Sequence, residues 1–298
     1  MSLSSSAVTL RSVSVLFNRA YGHAGAAILR GGSTLSAFGS FLDGNLAGEK
    51  GGGLYLLESV LAASNTTIDD NEAGTIGGGV CAHSGSTVTL TEGTSVRGNT
   101  AADGGGLYVI ESVLAASGAA IDDNEAGYEH GGGVMAVFYS TVTLAEGTFV
   151  RGNRAAVDGG GLFVELSELT VSGAAIEGNT ADLDGGGVQA QTSSTVTLTE
   201  GTSVYGNTAG YDGGGIRLLS ASSLRTSSGT VIAGNAALAG QGRRPLRGCV
   251  LHSRARLRHT APTQQQRRNW RRSVRPDRRQ RPGRTEGPRA LPAPRGAR

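Results

Sequence analysis

Aliphatic side chains recur along residues 1–242 in three columns, separated by short polar stretches. Val15, Leu42, Ile68, Val96, Ile121, Val150, Ile176, Val204 and Ile232 form one column, each three residues before an Asn. Val8, Leu35, Val60, Val88, Val113, Val142, Leu169, Val196 and Leu224 form a second, ten or eleven residues before that Asn. Leu54, Val80, Leu107, Val134, Leu162, Val188 and Ile216 form the third, each directly after a Gly-Gly-Gly run, and Gly25-Ala26-Ala27 followed by Ile28 reads as a degenerate copy. Within the second column the sequence Ser-Thr-Val-Thr-Leu (86–90, 140–144 and 194–198) alternates, putting Val and Leu on one face and Thr on the other. Period-two alternation is the signature of a strand, and no stretch offers an amphipathic helix.

The columns belong to one repeated unit. Glycine runs begin at Gly51, Gly77, Gly104, Gly131, Gly159, Gly185 and Gly213, so successive runs lie 26 to 28 residues apart. The Asn series Asn18, Asn45, Asn71, Asn99, Asn124, Asn153, Asn179, Asn207 and Asn235 extends past them at both ends and counts nine copies. A period of this length means a solenoid. Three short strands and three turns per unit predict the rungs of a parallel β-helix, each pairing with the next about 4.8 Å away. A leucine-rich repeat would need a helical segment where Gly-Gly-Gly stands, calcium-binding nonapeptide rolls need a nine-residue period, and collagen needs glycine at every third position. In the β-helix, glycine suits corners too tight for a Cβ, and the Asn column can stack as a hydrogen-bonded amide ladder.

The pairing of Gly-Gly-Gly-Leu or Gly-Gly-Gly-Val with Ile68-Asp69-Asp70-Asn71, Val96-Arg97-Gly98-Asn99 and Ile176-Glu177-Gly178-Asn179 resembles the repeat of polymorphic outer membrane proteins. That resemblance covers residues 1 to about 242 and implies a right-handed, pectin-lyase-like β-helix on a cell surface or outside the cell. The chain departs from that family in placing Val or Ile where Phe is usual, and no C-terminal membrane barrel is visible.

Composition divides the chain. All seven prolines, Trp270 and 18 of the 27 Lys and Arg lie in 243–298, whereas 1–242 hold 9 basic and 22 acidic residues. The net charge of +3 is thus the sum of about −13 and +16. Taken at face value, 243–298 is a disordered basic arm of the kind that binds nucleic acid. Its Arg and Pro without Lys instead predict a frame-shifted continuation of the repeats, which makes nucleic acid the weaker partner. Read one nucleotide later with CGN arginine codons, Arg243-Arg244-Pro245 becomes Gly-Gly-Leu after Gly242, Gln264 to Gln266 become Asn or Ser, and Trp270 becomes Gly. The first residues, Ser5-Ser6-Ala7-Val8-Thr9-Leu10, match the middle of a unit, so the chain reads as cut at both ends. No signal peptide and no run of roughly 18 apolar residues that could cross a membrane is visible. Cys81 and Cys249 offer neither a disulfide framework nor metal spacing.

Candidate chemistry is sparse and repeated. Glu92, Glu146 and Glu200 stand 54 residues apart, and Glu58-Ser59-Val60-Leu61 returns at Glu111-Ser112-Val113-Leu114, so two kinds of coil alternate. Asp69-Asp70 and Asp122-Asp123 are copies of one another, whereas a catalytic centre is a unique constellation. Asp158, Asp184 and Asp212 each precede a glycine run and could hold Ca²⁺ through oxygen ligands. His23, His83 and His130 have unlike neighbours and read as solvated turn residues. The expectation is a non-catalytic structural or adhesive β-helix meeting cell-surface glycans or proteins, with no catalytic or cofactor-binding residue assigned. A polysaccharide-active lyase, hydrolase or epimerase is the alternative, and it would need a non-repeated Asp, Arg and Lys group that 1–242 do not show. Outward pairs Thr87/Thr89, Thr141/Thr143 and Thr195/Thr197 suggest a third reading as an ice- or glycan-binding face, a weak one because Ser59/Leu61 and Ser112/Leu114 replace them on the coils between.

Overall fold

The computed structural model describes residues 1–238. Cys249, the basic segment and the frame-shift reading lie outside the described residues, as does the domain boundary at 242.

The chain winds through nine coils whose strands stack into four parallel sheets of nine strands each. Coil 3 shows the plan: Leu54–Leu57, Val60–Ser64, Thr67–Asp69 and Glu72–Ala73 enter the first to fourth sheets in turn. The expected three strands per coil are therefore four. The extra strand is the residue pair directly after each Asn, whose second member is mostly a buried Ala such as Ala47, Ala101 or Ala155. Two residues are too few to display an alternation, which is why the pattern hid them.

Register corrects the second column at two places. Val88 pairs with Leu61 and Leu114, not with Val60 and Val113. Leu61 and Leu114 are fully buried, while Val60 and Val113 are 38% and 41% exposed. The cause is turn length: Leu61 and Leu114 stand seven residues before Ile68 and Ile121, whereas Val88 stands eight before Val96 because its turn carries Thr91-Glu92-Gly93. Counting back a fixed distance from Asn slips one residue on the short-turn coils, and one residue exchanges the faces of a strand. The partners of the outward Thr pairs are consequently Val60/Ala62 and Val113/Ala115 rather than Ser59/Leu61 and Ser112/Leu114. Register also moves the degenerate glycine corner to Ala24-Gly25-Ala26, since Ala27 pairs with Leu54 and Ile28 with Tyr55.

The inward columns merge into one apolar tube running from Leu3 to Val204. Two of its corners are polar and built from hydrogen-bonded ladders. From Asn45 to Asn207 each amide group donates to the next coil's Asn Oδ1 at 2.9–3.0 Å and to a backbone carbonyl of the previous coil at 2.8–2.9 Å. The same Oδ1 accepts the preceding Asn backbone N–H, as in Asn124 to Asn153 at 2.9 Å. A second ladder was not anticipated: Ser59, Ser86, Ser112, Ser140 and Ser167 each donate a backbone N–H to the next coil's Ser Oγ. Where the fourth sheet returns to the first, the middle corner position is glycine throughout, Gly25 included, while Ala24 and Ala26 occupy its flanks on the second coil. Gly131 has φ +69°, a Cβ on Gly132 would strike the carbonyls of Arg154 and Gly160, and one on Gly133 would stand 3.0 Å from the Asn153 amide.

Candidate functional site

A column that the sequence reading passed over lies outside the first sheet. Ile28, Tyr55, Cys81, Tyr108, Met135, Phe163, Gln189 and Arg217 are successive register partners on its outer face. Outward positions should be wet, yet Tyr55, Cys81, Met135, Phe163 and Gln189 are buried. The segments leading into the glycine corners cover them: His23 packs on Tyr55 with ring centroids 4.8 Å apart, and His130 stacks on Phe163 at 4.3 Å. His23 and His130 are therefore partly buried lids and not solvated turn residues. Burial pushes the Cys81 thiol up to about 12, leaving it an inert apolar filler. The shared trait of this column is burial, and its chemistry runs from aromatic through sulfur to amide and guanidinium, so no residue type marks it in sequence.

Beside the polar end of that column stand the three aspartates. Asp158 Oδ1 accepts the Asp184 N–H at 3.1 Å, and Asp184 Oδ1 accepts the Asp212 N–H at 2.9 Å. The outer oxygens of Asp184 and Asp212 meet the Arg217 guanidinium. Burial raises the carboxyls of Asp158 and Asp184 above the usual range, opposed by His130 for the first and Arg217 for the second. Arg217 thus supplies the positive charge that a cation would otherwise bring to Asp184 and Asp212. The group of Asp158, Asp184, Asp212 and Arg217 has no copy elsewhere in the coils. It brings together carboxylates and an arginine, without a lysine, and sequence spacing hides it because Arg217 lies one coil away from Asp184. Gln189, fully buried next to Arg217 in the column, has no hydrogen-bond partner among the described residues for either amide atom.

Residues 59–237 match the family described as the right handed beta helix region. The chain belongs to the right-handed β-helix family. Comparison with curated proteins and with solved structures finds no match.

In this β-helix Asp122 and Asp123 are parts of ion pairs on the third sheet, whereas Asp69 accepts a hydrogen bond from the Ser95 hydroxyl at 3.2 Å. The outward column there reads Asp43, Asp69, Arg97, Asp122, Arg151, Glu177, Tyr205. Arg151 binds Asp122 Oδ2 through Nε at 3.1 Å and Nη2 at 2.9 Å, and Arg97 meets Asp123 at 3.2 Å. Burial raises the Asp122 carboxyl, against the lowering effect of Arg151. Among the described residues no group of three or more His, Cys, Asp or Glu side chains is placed to hold a metal ion. Asp158, Asp184 and Asp212 lie one per coil, joined through backbone N–H groups instead of converging. No helix among the described residues is long and apolar enough to cross a membrane.

Proposed function

We propose that this β-helix is a non-catalytic recognition scaffold, displayed on a cell surface or secreted, that meets glycans or proteins through its outer columns. One observation carries the reading: Asp122 and Asp123 are held in ion pairs and Asp158 and Asp184 in a backbone ladder, while Glu92, Glu146 and Glu200 recur singly on every second coil, so the repeated acids shape the surface and are not collected into a reactive centre. The likeness of the Gly-Gly-Gly-Leu and Ile-x-x-Asn elements to polymorphic outer membrane protein repeats supports the surface setting. In the test, the full chain is incubated with polygalacturonate and with neutral polysaccharides, with and without Ca²⁺, and released ends are assayed. No turnover, together with retention on intact cells or immobilised glycans, is the expected result.

Asp158, Asp184, Asp212 and Arg217 favour a second reading, a polysaccharide-active enzyme. Carboxyls with raised pKa beside a guanidinium are the components of acid–base chemistry on acidic sugars. Turnover that disappears in Arg217→Ala and in Asp184→Asn would replace the scaffold reading with this one. Ca²⁺ enters the same test, because removing Arg217 frees two carboxylates for a cation. A melting temperature that responds to Ca²⁺ only in Arg217→Ala would identify the guanidinium as the built-in substitute.

A further inference from the structure

The residue just before each ladder Asn, always in the left-handed region on coils 1 to 9, alternates between a side chain and glycine: Phe17, Gly44, Asp70, Gly98, Asp123, Gly152. Each side chain leans over the glycine of the next coil. A Cβ on Gly44 would strike the Phe17 ring, one on Gly98 would strike Asp70 Oδ1, and one on Gly152 would strike Asp123 Oδ1. Coil 7 breaks the rule. Gly178 stands where the alternation requires a side chain, and a Cβ there would meet nothing within 4 Å. The result is a trough of about 480 Å³ across coils 5 to 8, floored by Gly152, Gly178 and Gly206 and walled by Asp123, Arg151, Glu177 and Tyr205.

The walls break a second alternation at the same coil. The outward column exchanges acid for base from Asp69 to Glu177, but the next coil supplies Tyr205 in place of an arginine. Among the described residues Glu177 accordingly has no ion-pair partner, while Arg151 is held by Asp122 and Asp123 by Arg97. Tyr205 is 56% exposed and rests on the next turn, where a Cβ on Gly234 would stand 2.6 Å from its Cε2. The trough therefore offers an exposed aromatic ring, an uncommitted carboxylate and a floor without side chains.

We propose that this trough binds a neutral oligosaccharide, with Tyr205 as the stacking platform and Glu177 as the acceptor for sugar hydroxyls. The inference rests on the recognition reading and deepens it. An aromatic face packs the apolar face of a pyranose, a carboxylate accepts bonds from neighbouring hydroxyls, and glycine lets the chain approach the backbone. The one charge left unbalanced is negative, so an acidic polymer is disfavoured.

Binding of cellohexaose, laminarihexaose, mannohexaose and polygalacturonate to the full chain is measured by calorimetry. Binding of at least one neutral hexaose, and none of polygalacturonate, is expected. Gly178→Asp restores the alternation with a residue that Asp70 and Asp123 show is accepted in this conformation; at φ +60° it is expected to cost no more than ~1 kcal/mol of stability, leaving the chain folded, and to weaken binding at least ~tenfold. Tyr205→Ala and Glu177→Gln are expected to weaken it similarly, Tyr205→Phe to retain it, and Thr141→Ala on the second sheet to leave it unaltered. The proposal is overturned if no neutral hexaose binds, if polygalacturonate is preferred, or if Gly178→Asp binds as the wild type does. Attachment to cells without any hexaose binding would overturn the trough alone and leave the recognition reading standing.

Discussion

The inside and the outside of this coil follow different rules. Inside, each column repeats one chemical type in coil after coil: aliphatic in the tube, amide on the Asn ladder, hydroxyl on the Ser ladder. Outside, a single column passes from Tyr55 and Cys81 through Phe163 to Gln189 and Arg217, and another alternates charge until Tyr205 interrupts it. The interior tolerates no novelty because every side chain is contacted by its own copies above and below. A change on the exterior reaches no further than the neighbouring coil, as Phe17 over Gly44 shows, so individuality, and with it any specific function, collects there.

The sharpest way to break this contrast is to put a charge on each side of one strand. Val142→Asp places an unpaired carboxylate in the tube and is expected to cost at least ~5 kcal/mol or to prevent folding. Thr141→Asp, one residue away and half-buried, should change stability by no more than ~0.5 kcal/mol. Denaturant melts compare them directly. The pair Leu61→Asp and Val60→Asp should repeat the result on a short-turn coil, with Leu61 the sensitive position; equal losses would restore the register that fixed counting from Asn implies.

Removing one rung of the amide ladder comes next. Asn153→Ala strips the acceptor from the Asn124 N–H and amide group, and strips the donor from Ile121 O and Asn179 Oδ1. Several buried groups lose partners together, so a loss of about 3 to 5 kcal/mol is expected. A loss under ~1 kcal/mol would mean that water replaces the rung and that the interior is less exacting than described. Glycine separates inside from outside again at a smaller scale. Gly132→Ala should cost about 2 to 3 kcal/mol because the carbonyls of Arg154 and Gly160 are backbone and cannot swing away, whereas Gly178→Asp, with open space but a left-handed backbone, should cost no more than ~1 kcal/mol.

The smallest effect is electrostatic and belongs to the exterior. Burial raises the folded-state carboxyls of Asp103, Asp158 and Asp184 above the 3.8 of a free aspartate. A raised pKa means that the folded chain holds the proton more tightly than the unfolded chain. Its stabilising contribution is complete below 3.8 and is lost as pH rises through the folded-state values. The melting temperature should therefore climb modestly as pH falls from neutrality toward 3.8, and Asp158→Asn should flatten that slope. A melting temperature that falls over the same interval would show that the ion pairs of Arg217 and Arg151 outweigh burial.

The same divide explains what could be read from the sequence. The solenoid, the nine coils and the inward faces of Val88, Val142 and Val196 follow from repetition of type, which a single sequence displays against itself. The phase at Val60 and Val113 did not follow, because turns of two lengths alternate and only pairing with a neighbour reveals which residue was added. The two-residue fourth strand lacked enough residues to show a period. Arg217 and Gln189 were illegible because the column they share has no common chemistry, and Gly178 because the absence of a side chain becomes visible only when Asp70 and Asp123 are stacked beside it.

The amide ladder gives the coil a direction. Every Asn from 45 to 207 donates to the Asn of the following coil and accepts from that of the preceding one, so the amide-to-amide bonds point one way and polarise each other in series. A solenoid built in this manner resembles a one-way thread. A duplicated coil can be spliced in only in head-to-tail orientation and only if it brings its own amide, which lets the chain lengthen by copying while refusing any copy that arrives without its Asn.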